Sequence, residues 1–510
     1  MKSAKIFTGA TVGLESIPVE VDVDISPIGF PGFNIVGLPD KSVEEAKDRV
    51  KAGMRNSQAD FPAKKITINL APADLHKEGA VYDLPIAVGI FLASGQAAYD
   101  PKDDFFVGEL SLDGRLREVN GVLPLALLAK ELGKKRFYLP QENAMEASLV
   151  TGLEIIPVEN LAVIFDHLRG ISTLKTLSGK KYTFLDEEEY EIDMKDIKGQ
   201  ERAKFALEIA AAGGHNVLLK GPPGAGKTML ARAFPSILPP LSFEEAVEVT
   251  KIYSITGNIN KKNPLITKRP YRSPHHTTSI MGLIGGGTYP RPGEISLAHR
   301  GALFLDEIAE FPRHVLEAMR QPLEDGVVTV SRAMSQVTYP AKFIFIAAQN
   351  PCPCGNLNNP KLRCKCTPTQ ILNYKKRVSG PILDRIDLHL TVPAVEVDKL
   401  TGDDKTAEDS KIIRQRVIKA REKQKKRLKG SKLICNAEMN VKEIKIYCEL
   451  DDDCLTLLKQ AVSKHNLSAR NYYRLIKVSR TIADLQESEC IAVSHIAQAL
   501  QFRNIEDNLF

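Results

Sequence analysis

Gly221-Pro222-Pro223-Gly224-Ala225-Gly226-Lys227-Thr228 follows the apolar run Val217-Leu218-Leu219 and precedes Met229-Leu230. These residue types at this spacing suit a nucleoside triphosphate. Backbone N–H groups can wrap its phosphates because Gly221, Gly224 and Gly226 lack a Cβ and accept positive φ. Lys227 supplies a point charge to the β- and γ-phosphates, and Thr228 offers a hydroxyl to Mg²⁺. The N-terminus of the following helix adds favourable partial charge. Pro222, Pro223 and Ala225 complete a loop that expects ATP or GTP; a plain Gly/Pro turn between strand and helix is the alternative.

Three further segments carry groups that could act on a bound triphosphate. The apolar run 301–305 ends in Asp306-Glu307, which suits Mg²⁺ held by Asp306 through water and a proton taken from the attacking water by Glu307. Asn350 closes the apolar run 343–349 and is placed to orient that water, unless it caps a turn before Pro351. In Ser379-Gly380-Pro381-Ile382-Leu383-Asp384-Arg385-Ile386-Asp387 an arginine lies between two acids. Arg385 reaching a neighbouring subunit's γ-phosphate would be a finger, an effect worth about 10³ to 10⁵ in rate in other nucleotide hydrolases. An internal Arg/Asp ion pair is the other reading.

All eight cysteines fall after residue 351, and Cys352-Pro353-Cys354 with Cys364-Lys365-Cys366 forms two C-x-C pairs. Four thiolates could close a tetrahedral site around structural Zn²⁺, or they remain free or redox-active. Disulfides are disfavoured where the cytosol keeps thiols reduced.

These groups need elements to hold them. Val19, Val21, Val23 and Ile25 alternate with Glu20, Asp22 and Asp24, the period-two pattern of a half-buried strand. Helical spacing at Val43, Ala46, Val50 and Met54, alternation over 65–70, a helix at 83–94, a strand at 105–110, a helix at 123–132 and a short strand at 136–139 describe an α+β or α/β domain over 1–170. A polar linker is expected at 171–190. Apolar runs at 217–219, 302–305, 343–347 and 388–392 predict buried parallel strands of an α/β core over 191–396, with the four-Cys segment 352–366 inside it. The charged region 397–510 predicts a helical lid.

At 510 residues, with 43% hydrophobic and 26% charged content, the chain predicts about three globular domains. No apolar run approaches the roughly 20 residues that span a bilayer, so a cytoplasmic location and no membrane partner are expected. A net charge of +6 is too small to name a nucleic-acid partner. The stretch 411–432, however, holds eleven Lys or Arg against the single acid Glu422; it is a solvated helix face or a phosphate-facing surface.

Longer signatures carry a resemblance. Tyr271-Arg272-Ser273-Pro274-His275-His276-Thr277-Thr278-Ser279, Gly285-Gly286-Gly287, Pro292-Gly293-Glu294-Ile295-Ser296-Leu297-Ala298-His299 and Arg320-Gln321-Pro322-Leu323-Glu324-Asp325-Gly326, with 379–387, Gly37-Leu38-Pro39-Asp40 and 69–75, resemble the ComM/YifB branch of the magnesium-chelatase-like AAA+ ATPases. The resemblance spans nearly the whole chain. It implies an AAA+ P-loop ATPase with a helical lid, assembled as a homo-hexamer whose ATP sites are shared between subunits, with Arg385 as the trans finger. In Ser468-Ala469-Arg470-Asn471-Tyr472-Tyr473-Arg474, Arg470 is similar to the lid arginine that senses the γ-phosphate, with Arg474 and Arg480 as rivals. Inserts facing a ring pore would fall at 279–294 and 327–338, where Arg332 is the candidate for gripping a DNA backbone or else a solvent-facing hairpin residue.

The region 1–170 resembles the Lon-protease-like (S5-like) fold at 107–116 and Lys77-Glu78-Gly79. Lon-type proteolysis needs a serine with a lysine base in reach, and those positions fall at Val81 and near Leu123. A binding or oligomerisation module is expected instead. The resemblance thus implies an ATP-driven motor on single-stranded or branched DNA, a helicase or branch-migration enzyme of recombination and natural transformation. A protein-remodelling or protease-associated machine and a magnesium-chelatase-type motor subunit are the alternatives.

Overall fold

The computed structural model describes residues 2–179, 190–287, 290–331, 336–357, 362–394, 407–431, 433–465 and 467–503. They form two compact units: residues 1–185 with 243–267, and residues 186–242 with 268–510. The segment 243–267, expected inside the ATPase core, therefore groups with the amino-terminal region. The expected lid groups with the ATPase core in the second unit.

In the first unit, alternation directs Val19, Val21, Val23 and Ile25 inward from the strand Glu15–Ser26. That strand pairs antiparallel with Lys2–Val12 and with Lys65–Ala71, and Gly32–Val36 pairs parallel to the latter. A second sheet runs Leu177–Ser178, Glu154–Val158, Arg136–Pro140, Asp104–Phe106. The helix Lys41–Asn56 starts where Asp40 accepts from the Val43 N–H at 2.7 Å and buries Val43, Ala46, Val50 and Met54, the spacing of one helix face. Asp83–Ala93 is apolar nearly all round and buried accordingly. Val81 lies in the short turn Ala80–Tyr82 and Leu123 in the buried face of Val122–Glu131.

The returning helix Phe243–Thr256 is fastened within this unit. The Gly121 N–H donates to the Ser254 carbonyl at 3.1 Å, the Ser254 hydroxyl donates to Glu146 at 2.5 Å, and Lys261 pairs with Glu118 at 2.6 Å.

The second unit is built on an all-parallel sheet ordered Tyr271–Arg272, Ala302–Leu305, Ile344–Gln349, Val217–Lys220, Leu388–Thr391. All but the first match the apolar runs expected as buried strands, which hydrophobic faces on both sides of a parallel sheet require. The helix Glu201–Gly213 and the lid helices Ser410–Arg427, Ala469–Leu485 and Val493–Gln501 share one apolar core with this sheet. Among the described residues no helix is long and apolar enough to cross a membrane.

Candidate functional site

The phosphate loop leaves the carboxyl end of Val217–Lys220, a strand flanked by Ile344–Gln349 and Leu388–Thr391. Parallel sheets commonly bind ligands at such a carboxyl edge. Gly224 and Gly226 have φ of +76° and +87° with open space where a Cβ would stand, so any other residue would be strained there. Gly221 serves differently from the expectation: a Cβ on it would come within 2.2 Å of the Val392 carbonyl, so it permits close approach of the neighbouring strand and not a positive φ. The helix Lys227–Ala233 opens directly from Gly226.

Four expected residues meet here. The Lys227 ammonium donates to the carbonyls of Gly221 at 2.7 Å and Pro222 at 2.9 Å and to Asn350 Oδ1 at 3.1 Å. Burial pushes its pKa down, opposed by Asp306 and Glu307. The Thr228 hydroxyl donates to Asp306 Oδ2 at 2.8 Å, pairing the two oxygen donors that Mg²⁺ would take. Glu307 is exposed beside them and its own N–H donates to Asp306 Oδ1 at 2.9 Å. Its φ of +50° is left-handed, a conformation that costs a non-glycine residue on the order of 1 kcal/mol or more.

Arg385 lies elsewhere. It precedes Leu388–Thr391, whose register places Leu388 opposite Val217 and Thr391 opposite Lys220. Arg385 is therefore at the amino edge of the sheet and the phosphate loop at the carboxyl edge, about 13 Å apart along a four-residue strand. Arg385 is 7% exposed; its guanidinium donates to the Pro381 carbonyl at 2.7 Å and pairs with Glu324. The internal alternative expected one of the flanking aspartates, but Asp387 instead takes Arg474 at 2.8 Å and the Asn216 N–H at 3.1 Å. Burial would raise the Asp387 carboxyl, yet Arg474, His215 and Arg503 together hold it well below the usual carboxylate range.

Arg470 joins the same carboxylate as Arg385, donating to Glu324 Oε1 at 3.1 Å. Its rivals are engaged otherwise, Arg474 with Asp387 and Arg480 with the buried Asp484. Glu324 falls in the signature run 320–326, where sequence alone gives it no part. Its only sequence signal was an acid closing a helix before a hairpin.

The four cysteines expected to form one group do so. Cys352, Cys354, Cys364 and Cys366 present Sγ atoms all within 4.8 Å of one another, with separations of 3.4, 3.7 and 3.6 Å among the first three. Zn–S bonds of about 2.3 Å set tetrahedral S···S edges of about 3.8 Å, so the donor set fits Zn²⁺. The Leu357 N–H donates to Cys352 Sγ at 3.3 Å, and backbone N–H groups of Asn356 and Lys365 hold the Cys354 thiol down at about 6. Gly355 in this knuckle abuts the phosphate loop: a Cβ there would meet Pro223 Cδ at 2.5 Å.

The pore candidates are partly in view. Val327–Ser331 and Gln336–Pro340 pair antiparallel, but Arg332 lies outside the described residues. The insert at 279–294 forms the short helix Ile280–Ile284 and a two-stranded turn, Gly285–Gly286 with Arg291–Pro292. The basic stretch divides by residue type. Arg414, Arg416, Arg421 and Arg427 turn inward to Ser236, Glu208, Ala211 and Asp484, whereas Lys411, Lys425, Lys426 and Lys429 stay exposed.

Comparison with known proteins finds three family profiles along the chain: "Magnesium chelatase, subunit ChlI" over 193–400, "Subunit ChlI of Mg-chelatase" over 19–143 and "Magnesium chelatase, subunit ChlI C-terminal" over 407–503. The chain is 44% identical over 507 residues to the competence protein ComM of Haemophilus influenzae, covering 99% of this chain and 98% of that one. It is 43% identical over 507 residues to the uncharacterized protein YifB of Escherichia coli, with the same coverage. The magnesium-chelatase 38 kDa subunit of Cereibacter sphaeroides is 23% identical over 241 residues, 44% of this chain and 70% of that one.

Proposed function

Because the chain belongs to the magnesium-chelatase-like ComM/YifB family, whose chelatase domains are of the AAA+ class, we propose that it hydrolyses ATP and spends the turnover on moving along DNA as a ring. The observation that carries the ATPase reading is the loop cluster, in which Lys227 bonds Asn350 at 3.1 Å and Thr228 bonds Asp306 at 2.8 Å. In that reading, N–H groups of the loop and the Lys227 ammonium hold the β- and γ-phosphates, exchanging the carbonyl partners Lys227 now has. Asn350 orients the attacking water and Glu307 accepts its proton. Thr228 and Asp306 would hold Mg²⁺, which neutralises developing charge on the phosphates. Arg385 acts on the γ-phosphate of a neighbouring subunit, an assignment supported by its standing at the sheet edge away from its own loop, and Arg470 is the lid arginine that senses the γ-phosphate.

DNA as the track is favoured by the exposed lysines of Ser410–Arg427 and by Arg363, Lys365 and Lys376, exposed around the cysteine knuckle in a region without acids from 351 to 379. The knuckle is proposed to hold structural Zn²⁺. Residues 1–170 are proposed as a Lon-like binding or oligomerisation module, since neither Val81 nor Leu123 offers a nucleophile or base.

The test is ATP turnover by the purified protein with and without single-stranded, duplex and branched DNA, with Glu307→Gln as the blank. Stimulation by DNA supports a nucleic-acid motor. Basal turnover indifferent to every DNA moves the reading to a protein-remodelling or chelatase-type machine.

A further inference from the structure

Glu324 lies in the last turn of the helix Arg320–Asp325, just before the hairpin, and receives two guanidinium groups distant in sequence. One carboxylate oxygen takes Arg385 Nη2 and the other takes Arg470 Nη2 at 3.1 Å. These are the two arginines assigned above to a γ-phosphate. From their convergence, and resting on that assignment, we propose that Glu324 is an internal latch that stands in for the phosphate and stores the arginine pair until ATP at a neighbouring site displaces it.

Three observations support displacement over permanent pairing. The first is charge: one carboxylate faces two guanidinium groups, leaving a net positive charge that a phosphoryl group, with more charge and three acceptor oxygens, satisfies better. The second is unused donor capacity, because buried Arg385 Nε has no hydrogen-bond partner among the described residues. The third is exposure. The Glu324 side chain is 47% exposed and that of Arg470 58%, so their pair is screened by water and weak. The neighbouring Arg474–Asp387 pair is 21% and 10% exposed and is held structurally, with Asp387 also bonded to the backbone of Asn216. The arrangement thus combines a fixed anchor one turn along the helix with a half-exposed carboxylate that the exposed Arg470 meets loosely and the buried Arg385 more closely.

A latch competes with the ligand, so removing its charge should help binding and spare chemistry. Glu324→Gln keeps the shape and loses the charge. In steady-state assays it should lower KM for ATP about 5- to 10-fold while kcat stays within two-fold of the parent, and it should tighten binding of a non-hydrolysable ATP analogue by a similar factor at protein concentrations where subunits associate. Glu324→Asp, which keeps the charge, should behave as the parent; thermal melts establish that both variants fold. A ten-fold fall in kcat with KM unchanged would overturn the latch, since Glu324 would then position the arginines for the reaction. Unchanged KM, kcat and analogue affinity would overturn it as well. Arg385→Ala in the same series separates the two failures: if it leaves turnover intact, the assignment of the arginines has failed, and if it abolishes turnover while Glu324→Gln changes nothing, only the latch has.

Discussion

At the carboxyl edge of the central sheet, the cation Lys227 is held by two carbonyls and an amide oxygen, all neutral. At the amino edge of the same sheet, Arg385, Arg470 and Arg474 each meet a carboxylate. Both edges concentrate positive charge, but the first meets it with neutral partners alone and the second with carboxylates, one of them shared by two arginines. A carbonyl exchanges readily for a phosphate oxygen, whereas a carboxylate must be outcompeted. The difference is that the loop cation has partners an anion can replace within a single chain, whereas the arginine edge is partly neutralised by carboxylates of its own subunit.

Removing the cation of the carboxyl edge should have the largest effect. Lys227→Ala is expected to weaken ATP binding at least about 100-fold, corresponding to about 3 kcal/mol for charge-assisted bonds to phosphate; titration calorimetry that finds near-parental affinity would erase the contrast. Arg385→Ala should next lower kcat by about 10³ while ATP affinity measured in the same way stays within a few-fold. If affinity falls as far as it does in Lys227→Ala, the two edges contribute alike to binding and are not distinct. Glu307→Gln should lower kcat about 10² or more with binding retained, which single-turnover kinetics would separate from product release.

Smaller effects sharpen the comparison. Stripping metal from the cysteine knuckle should lower the melting temperature by about 5 °C, the size expected for a few kcal/mol in a large domain. Because Gly355 abuts Pro223, it should also weaken ATP binding severalfold; an unchanged melt after metal removal would leave the knuckle with no structural ion. The smallest effect is on pH dependence. Asp387 has a folded pKa depressed below its ordinary value, so its contribution is fully present above the ordinary carboxylate range and is lost as pH falls through the depressed value. Asp387→Asn should be less stable than the parent at pH 7 by urea melts, and the gap should close only well below pH 4.

Much of the carboxyl edge was legible because its signals are local. The glycine spacing, the Lys-Thr pair and the apolar run closed by Asp306-Glu307 each lie within a dozen residues, and hydrophobic runs marked four of the five parallel strands. The amino edge was not, because Glu324, Arg385 and Arg470 are brought together across long stretches of sequence and no local pattern records who neutralises whom. The basic stretch shows the same limit. Its basic face is readable from charge, but that arginines turn to internal carbonyls and acids while lysines face water depends on partners such as Glu208 and Asp484. The strand Lys2–Val12 was missed because its inward positions include Thr8 and Ala10 along with Ile6, which blurs alternation. The Zn²⁺ reading kept its alternatives because C-x-C spacing is tight, and only the sulfur separations test whether four thiols can share an ion.

The affiliation of residues 243–267 with the first unit bears on how the polypeptide is made and cut. A ribosome completes residues 1–185 before the helix that Glu146 and Gly121 fasten has been synthesised, so the first unit waits, unfinished, through more than fifty further residues that belong to the second. A nick at the segment between the units would not yield two self-sufficient pieces. The upstream fragment would lack a helix and the downstream one would carry that helix with its buried Ala246, Val249 and Ile252 laid open to water, so proteolytic dissection should give an aggregating carboxyl fragment unless the amino fragment is supplied in trans.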